Sequence, residues 1–487
     1  MFAELHIERG RLRAVLPCAH GSVIKTEHET YSYPGCSVVP GFVDSHVHVV
    51  GLGERLVLPS LHAVKSLREA VGVLQQSSPN RGEWIVAMGW NQEQWAGGEL
   101  PTLDALDAAL PTTPVYATRV DGHAAWVNSE ALRRANLDPR GHSGILVDDE
   151  MLPVSRLVPH ASDEDIQAYI LAAGRYCAAQ GITEVHDMDV APAWLENFRL
   201  LAEAGTLPVR VNSYVRAQKN DWLVAGVLPY GGELHRVVGI KLFADGALGS
   251  RGARLTEPYS DQPQELGLAL LAYNDLLLRC REAIDHGWRS IAVHAIGDAA
   301  VETVMEVFAE LRKEHSPDDV GLRIEHVQIC SESVAARIAA ESVVASVQPL
   351  HYASDLPMAL RRLGNSRMPN AYRWNSLLQE GALLIAGSDA PVEPPSVRRG
   401  IYEFCSRDLP DGSGPSPERI RREQAIAAFT QWPHKAVDTA HRRGALRVGM
   451  DADIVVIDRD IETCPLTDIV DARIMATFSA GRRRYAV

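Results

Sequence analysis

The segment Asp44-Ser45-His46-Val47-His48 closes an apolar run, VVPGFVDSHV, at residues 38–47. Along an extended strand, side chains two residues apart leave on the same face. His46 and His48 therefore offer two imidazoles to one cation, and imidazole suits zinc, iron or nickel. Two histidines in a turn are the plainer alternative for this segment taken alone. Similar residues recur in similar settings. Lys241 lies in GIKLFADG, His294 in IAVHAIGD, His326 in RIEHVQ and Asp389 in IAGSDAP, each at or near the end of a β-rich run. A lone histidine at a strand end is usually a hydrogen-bonded structural group. Four histidines, a lysine and a carboxylate, all at strand ends, point to one shared centre that holds cations.

Such a convergence needs a scaffold that brings many strand ends together. The candidate strands are residues 38–47, 182–188, 207–215, 237–243, 289–296, 322–328, 342–349 and 383–389. Helix-like stretches such as NDLLLRCREAIDHG and AVETVMEVFAELRKEH separate several of them. Apolar strands alternating with helices form parallel sheets covered on both faces. Eight such units predict an α/β fold, a closed (β/α)8 TIM barrel spanning residues 39–443, rather than an open sheet. Barrel active sites lie at the C-terminal ends of the strands, where all six residues fall.

Residues from about 52 to 165 do not fit one such unit. They contain the strand-like runs EWIVAMGW and TPVYATRV among helical stretches, and are expected to form an inserted α/β subdomain. Residues 1–38 and 444–487 are short alternating strands, too short to bury a core separately, and are predicted to form one small β domain together. The stretch SRDLPDGSGPSPERI, residues 406–420, is expected to be an exposed loop.

Several further residues are candidates for substrate contact or for orienting a ligand. His186 and Asp187 end the second barrel strand. His123 lies in the insertion, and Gln348 and His351 follow the seventh strand. Trp90 and Trp95 could wall an apolar pocket. Ordinary hydrogen bonding or packing is the competing account of each. The glycine-rich GALGSRG follows no dinucleotide pattern and reads as a substrate loop, and no Ser or Cys lies in a nucleophile-elbow context.

With 48 basic and 62 acidic side chains the formal charge is −14, which disfavours nucleic acid and anionic membranes as partners. A small-molecule substrate is expected instead. Cysteines at 18, 36, 177, 280, 330, 405 and 464 form no CxxC pair and suggest a reducing, cytoplasmic setting. No signal peptide or membrane-spanning run is expected.

The words PGFVDSHVH, RVDGHAAWVNS, GIKLFADGALGSRGA, AVHAIGDAA, RIEHVQ, GSDAPVEPPS and GALRVGMDADIVVID occur in this order between about residues 36 and 460. They resemble the amidohydrolase superfamily, and within it the YtcJ-like branch, which contains N-substituted formamide deformylases. The resemblance implies a (β/α)8 barrel carrying a β-sandwich built from both chain ends, and a possible homodimer. It implies one or two divalent ions, zinc being the expected metal. His46, His48 and Asp389 would hold the more buried ion, and His294 and His326 the second. Lys241, carboxylated by CO2, would bridge them as a carbamate. A buried lysine tends to lose its proton, and a neutral amine adds CO2; a salt bridge from Lys241 to Asp245 is the alternative. The implied reaction is hydrolysis of a non-peptide carbon–nitrogen bond in an amide, formamide or cyclic amide, with Asp389 as the general base. The same centre acting on an ester, or a non-catalytic binding or regulatory protein, are the other readings. In the family an acidic residue often follows the Gly-Trp pair; here Asn91 and Gln92 follow Trp90, which bears on substrate preference rather than on the metal centre.

Overall fold

The strands Phe42–Val47, Ile182–Val190, Arg210–Arg216, His235–Phe243, Ser290–Ala295, Gly321–His326, Val344–Val347 and Leu383–Ala386 lie side by side in chain order, each parallel to the next. They are rich in Val and Ile, and nearly all their residues are buried, as sheets covered by helices on their outer face require. The eighth strand returns to the first through a single parallel bridge, Val47 to Ala390. Two hydrogen bonds flank it, Asp389 N–H to the His46 carbonyl at 2.7 Å and His48 N–H to the Ala390 carbonyl at 2.8 Å. The result is a mostly parallel (β/α)8 barrel. Covering helices such as Asp298–Arg312 turn an apolar stripe inward, with Val301, Val304, Met305 and Phe308 at helical spacing.

This computed structural model describes residues 1–95, 98–120, 122–409 and 414–487, so residues 410–413 of the expected 406–420 loop lie outside the described residues. The chain divides into two units, Met1–Val49 with Gly174–Val487, and Val50–Ala173. Besides the barrel, the first unit holds two four-stranded sheets. One is made of Arg11–Pro17, Ala3–Glu8, Gly21–Lys25 and Thr30–Pro34, the other of Arg482–Ala486, Ile474–Ser479, Ile454–Ile457 and Ser37–Pro40. Leu5, Ile7 and Ile24 of the first sheet share one core with Val38, Ile454, Val456 and Phe478 of the second. The second unit has a four-stranded sheet in the order Ile145–Val147, Ala124–Val127, Val115–Arg119, Ile85–Trp90. Alternate residues feed separate apolar clusters: Ile85, Ala87, Val115 and Ala117 in one, Tyr116, Ala125 and Val127 in the other. No described helix is long and apolar enough to cross a membrane.

Buried charges gather where the second and third barrel strands begin. Arg443 donates to Glu184 and to Asp451, each at 3.0 Å, and Arg210 reaches Asp453 at 3.2 Å. Burial pushes the Glu184 carboxyl up, but His434, Arg443 and Arg210 outweigh that and hold it at about 2, below the ordinary 4.5. A carboxyl lowered in this way stabilises the fold fully above the unfolded value and loses that contribution as pH falls toward the folded one. Arg443→Met strips a partner from a buried charge, a change that costs about 3–5 kcal/mol. Urea melts are expected to show wild-type stability dropping as pH falls from about 4.5 to about 2. The variant should start lower at neutral pH and drop less over that window. Identical pH slopes for the two proteins would show that Glu184 carries none of this dependence.

Candidate metal centre

His46, His48, Lys241, His294, His326, His351 and Asp389 all line one cavity of about 510 Å³ at the C-terminal ends of the strands. Three features of the chain aim these side chains inward. Asp44 Oδ1 accepts the N–H groups of His46 and Ser388, and its Oδ2 accepts the Ser388 hydroxyl at 2.6 Å, locking the end of the first strand to that of the eighth. Gly387 permits this approach, since a Cβ there would lie 2.4 Å from the His46 nitrogen. His326 (φ +78) and Asp389 (φ +60) adopt left-handed backbone, which turns the chain sharply as each strand ends. Non-glycine residues pay strain in this region, and such strain gathers at functional sites.

The hydrogen bonds set the tautomers. His46 Nδ1 lies 2.7 Å from Glu325 Oε2, a pure acceptor, so Nδ1 carries the proton and Nε2 keeps its lone pair. His48 Nδ1 donates to the Met188 carbonyl at 2.9 Å, and His326 Nδ1 to Gln348 Oε1 at 2.8 Å. The Nε2 atoms of His46 and His48 then face Asp389 Oδ1 at 3.4 and 3.1 Å. His351 Nε2 lies 3.8 Å from Asp389 Oδ2. Lone pairs thus converge on a carboxylate, an arrangement that only protons or a cation between them satisfy. Two groups have every donor atom within 4.8 Å of the others: His46, His48 and Asp389, and His326, His351 and Asp389. His294 lines the same cavity, with its ring centroid 4.5 Å from that of His326, but belongs to neither group.

The electrostatics match this donor set. Burial, with Lys241 next in weight, lowers His46 to about 4 and His294 to about 3, and burial drives His326 well below the usual value. His48 is raised instead, because its bond to Asp389 outweighs its burial. Burial would lift Asp389, but the surrounding histidines hold it well below the carboxylate range. The neutral imidazoles of His46, His294 and His326 and an ionised carboxylate are what a divalent cation binds, and His48 would release its proton on binding one. Glu325 is itself anchored by Arg323, whose Nη2 reaches it at 3.0 Å and also donates to the Ser45 carbonyl at 2.8 Å and to Ser346 Oγ at 2.9 Å.

Lys241 is fully buried, and its Nζ has no hydrogen-bond partner among the described residues. Burial lowers it to about 8, so its neutral amine form is far more accessible than that of a free lysine. Among the described residues, the alternative pairing with Asp245 does not form. The Asp245 carboxylate is filled by the N–H groups of Arg254, Ile296 and Gly297 at 2.8–3.0 Å. The donor set therefore fits a metal, and the orphaned lysine fits a carbamate.

Some expectations need correction. His186 is wholly buried and accepts from Arg323 Nη1 at 3.1 Å, away from the cavity lining. Gln348 spends its amide oxygen on His326 rather than on substrate. Trp90 is 2% exposed in the core of the second unit and donates to the Ala117 carbonyl at 2.9 Å, so it walls no pocket; Trp95 shares that core. Asp187 accepts the Val49 N–H at 2.9 Å. His123, also in the second unit, is largely exposed and lies 2.8 Å from Asp148. His351 is brought closer to the centre than a substrate-binding role requires. Its sequence signal is weak, because it stands in the first turn of the helix Pro349–Leu363 rather than at a strand end. Asp44, Glu325 and Arg323 carry positioning roles that show only in the fold, although all three sit in the words DSHVH and RIEHVQ.

The amidohydrolase family model matches residues 34–485. The chain is 31% identical over 462 residues to the putative amidohydrolase YtcJ of Bacillus subtilis, covering 89% of this chain and 86% of that protein. It is 22% identical to the N-substituted formamide deformylase of Arthrobacter pascens, with 94% and 90% of the two chains covered. Among solved structures, an uncharacterized metal-dependent hydrolase from Pyrococcus furiosus superposes with a TM-score of 0.79 at 28% identity, over 94% of this chain and 95% of that one. With barrel, strand-end histidines and buried lysine agreeing with a family match across nearly its whole length, the chain belongs to the amidohydrolase family.

Proposed function

We propose that this chain is a metal-dependent hydrolase that cleaves a non-peptide carbon–nitrogen bond, in an amide, formamide or cyclic amide, of a small molecule. The observation that carries the reading is the inward convergence of imidazole lone pairs on Asp389 beside a buried Lys241 whose Nζ has no hydrogen-bond partner among the described residues. The name of the deformylase relative supports the choice of bond, and the similarity to a metal-dependent hydrolase supports the ion. A cavity of about 510 Å³ has the size of a small-molecule site.

His46, His48 and Asp389 would hold one ion, and His326 a second with His351 or His294. Zinc fits these nitrogen and oxygen donors. Lys241, as a carbamate formed with CO2, would give an oxygen to each. When bound, the metal polarises the substrate carbonyl and acidifies water. The chain's own residues do the rest. Asp389 accepts the proton of the attacking water and delivers it to the leaving nitrogen. Glu325 holds the His46 ring in place, and Gln348 the His326 ring. Phe243, Leu248, Ile296 and Met358 give the cavity apolar walls.

The test is metal analysis followed by turnover of a panel of N-formyl, N-acyl and cyclic amides with matched esters. Chelation should abolish activity, and adding a divalent metal should restore it. Full activity in a verified metal-free preparation removes the metal from the reading. Faster cleavage of the esters moves it to another bond. Bound metal without turnover of anything favours a binding or regulatory role.

A further inference from the structure

The cavity has a polar feature that the hydrolytic centre does not use. Helix Pro349–Leu363 presents His351, Asp355 and Met358 to it, one helical face over two turns. His351 points at Asp389, while Asp355 stands one turn farther out, about 6 Å along the helix axis. The Asp355 carboxylate is held in place from one side. Its Oδ2 accepts from the Tyr372 hydroxyl and from Gln328 Nε2, both at 3.1 Å. Gln328 also donates to the Tyr372 hydroxyl, and the Tyr372 N–H is bonded to the Gln328 carbonyl at 2.7 Å. Oδ1 of Asp355 has no hydrogen bond, and no cationic side chain pairs with it among the described residues. A second carboxylate, Glu393, lines the same cavity.

The remaining lining residues sharpen the contrast. Apart from Lys241 and the histidines of the centre, no basic side chain among the described residues lines the cavity, so no side chain there offers an anion a fixed positive charge away from the centre. Phe243, Ile296 and Met358 give the same cavity apolar lining. The cavity also holds buried groups that await a ligand, since Lys241 Nζ and His351 Nε2 lack hydrogen-bond partners. A fixed carboxylate with one open oxygen, a turn of helix from the reacting centre and across apolar wall, suits a cation on a short aliphatic spacer.

We infer that this cavity selects substrates carrying a cationic group, a protonated amine or a guanidinium, on a short spacer from the cleaved bond, with that group seated on Asp355. The inference deepens the hydrolase reading and rests on it for the word substrate; its test reads binding and does not depend on turnover. The probes are three compounds of matched length: mono-N-formyl-1,4-diaminobutane, N-formylpentylamine and N-formyl-5-aminopentanoate. Their affinities for the metal-loaded protein are measured by calorimetry. The ammonium probe should bind roughly tenfold or more tightly than the neutral one, as a charged hydrogen bond warrants, and the carboxylate probe weakest. Asp355→Asn keeps an acceptor for Tyr372 while removing the charge, and should bring the ammonium-to-neutral ratio toward one. Equal or tighter binding of the carboxylate probe, no binding of the ammonium probe, or an unchanged ratio in the variant would each overturn the inference. Ordered binding with no hydrolysis would instead count against the proposed reaction and leave the selectivity standing.

Discussion

Asp389→Asn is expected to retain most of its metal while kcat falls by about 10²–10⁴-fold, the usual worth of a placed proton acceptor. The aspartate ends the eighth strand in left-handed backbone, within 3.1–3.4 Å of two imidazole nitrogens through one oxygen, and its other oxygen faces His351. It is buried yet held ionised by those histidines, so it stands ready to take a proton in a site where water is scarce. Asparagine keeps the shape and offers one carbonyl oxygen to an ion. It cannot accept and return the proton. Metal content by atomic emission, with kcat and KM on the best amide of the panel, separates the two roles. A variant with near-normal metal and near-normal kcat would end the general-base role. Loss of metal and activity together would make Asp389 a ligand only.

Lys241→Ala should lower metal content and reduce kcat/KM by more than the 10–100-fold that follows loss of a residue which only orients a ligand. The wild-type amine is wholly buried, unpartnered and lowered to about 8. A buried ammonium without a partner is costly, and a neutral amine that captures CO2 exchanges that cost for ligation. Alanine leaves a gap of matching shape, so acetate or propionate should restore part of the metal and activity by standing in for the carbamate. Labelling with ¹³CO2 should show a carbamate signal in wild type that is absent from the variant. A metal-loaded wild type without that signal would return Lys241 to an ordinary buried amine.

Much of this was readable before any coordinates. The eight barrel strands fall where the Val- and Ile-rich runs placed them, because each is buried on both faces and shows as a near-continuous apolar word. His46 and His48 were legible through the two-residue period of a strand, and His326 and Asp389 through their position at strand ends. What stayed hidden depends on pairs far apart in the chain. Arg323 meets His186 across 137 residues, His46 meets Glu325 across 279, and Ser388 meets Asp44 across 344. No local pattern reveals those partners, so His186 and Gln348 read as substrate groups, whereas His186 Nδ1 is taken by Arg323 and the Gln348 amide oxygen by His326. His351 reads from the sequence as a substrate group rather than a candidate metal donor, because a residue in the first turn of a helix carries no strand-end signature. Trp90 misled because a tryptophan ending a strand looks alike whether it faces a pocket or a core.

The seam between the eighth strand and the first has a thermodynamic meaning of its own. Elsewhere neighbouring barrel strands are joined by ladders, but here by one bridge and its flanking bonds. His46 and His48 stand on one side of that seam and Asp389 on the other. An ion gripping all three would be a clasp across the least-stitched joint of the cylinder. Its binding free energy would then belong partly to closure of the barrel, and resistance to unfolding should climb by about 1.4 kcal/mol for each tenfold rise in free metal above saturation. Amide hydrogen exchange at His48 and Asp389, slow when the clasp is shut and faster when it is stripped, becomes a gauge of occupancy that needs no substrate at all.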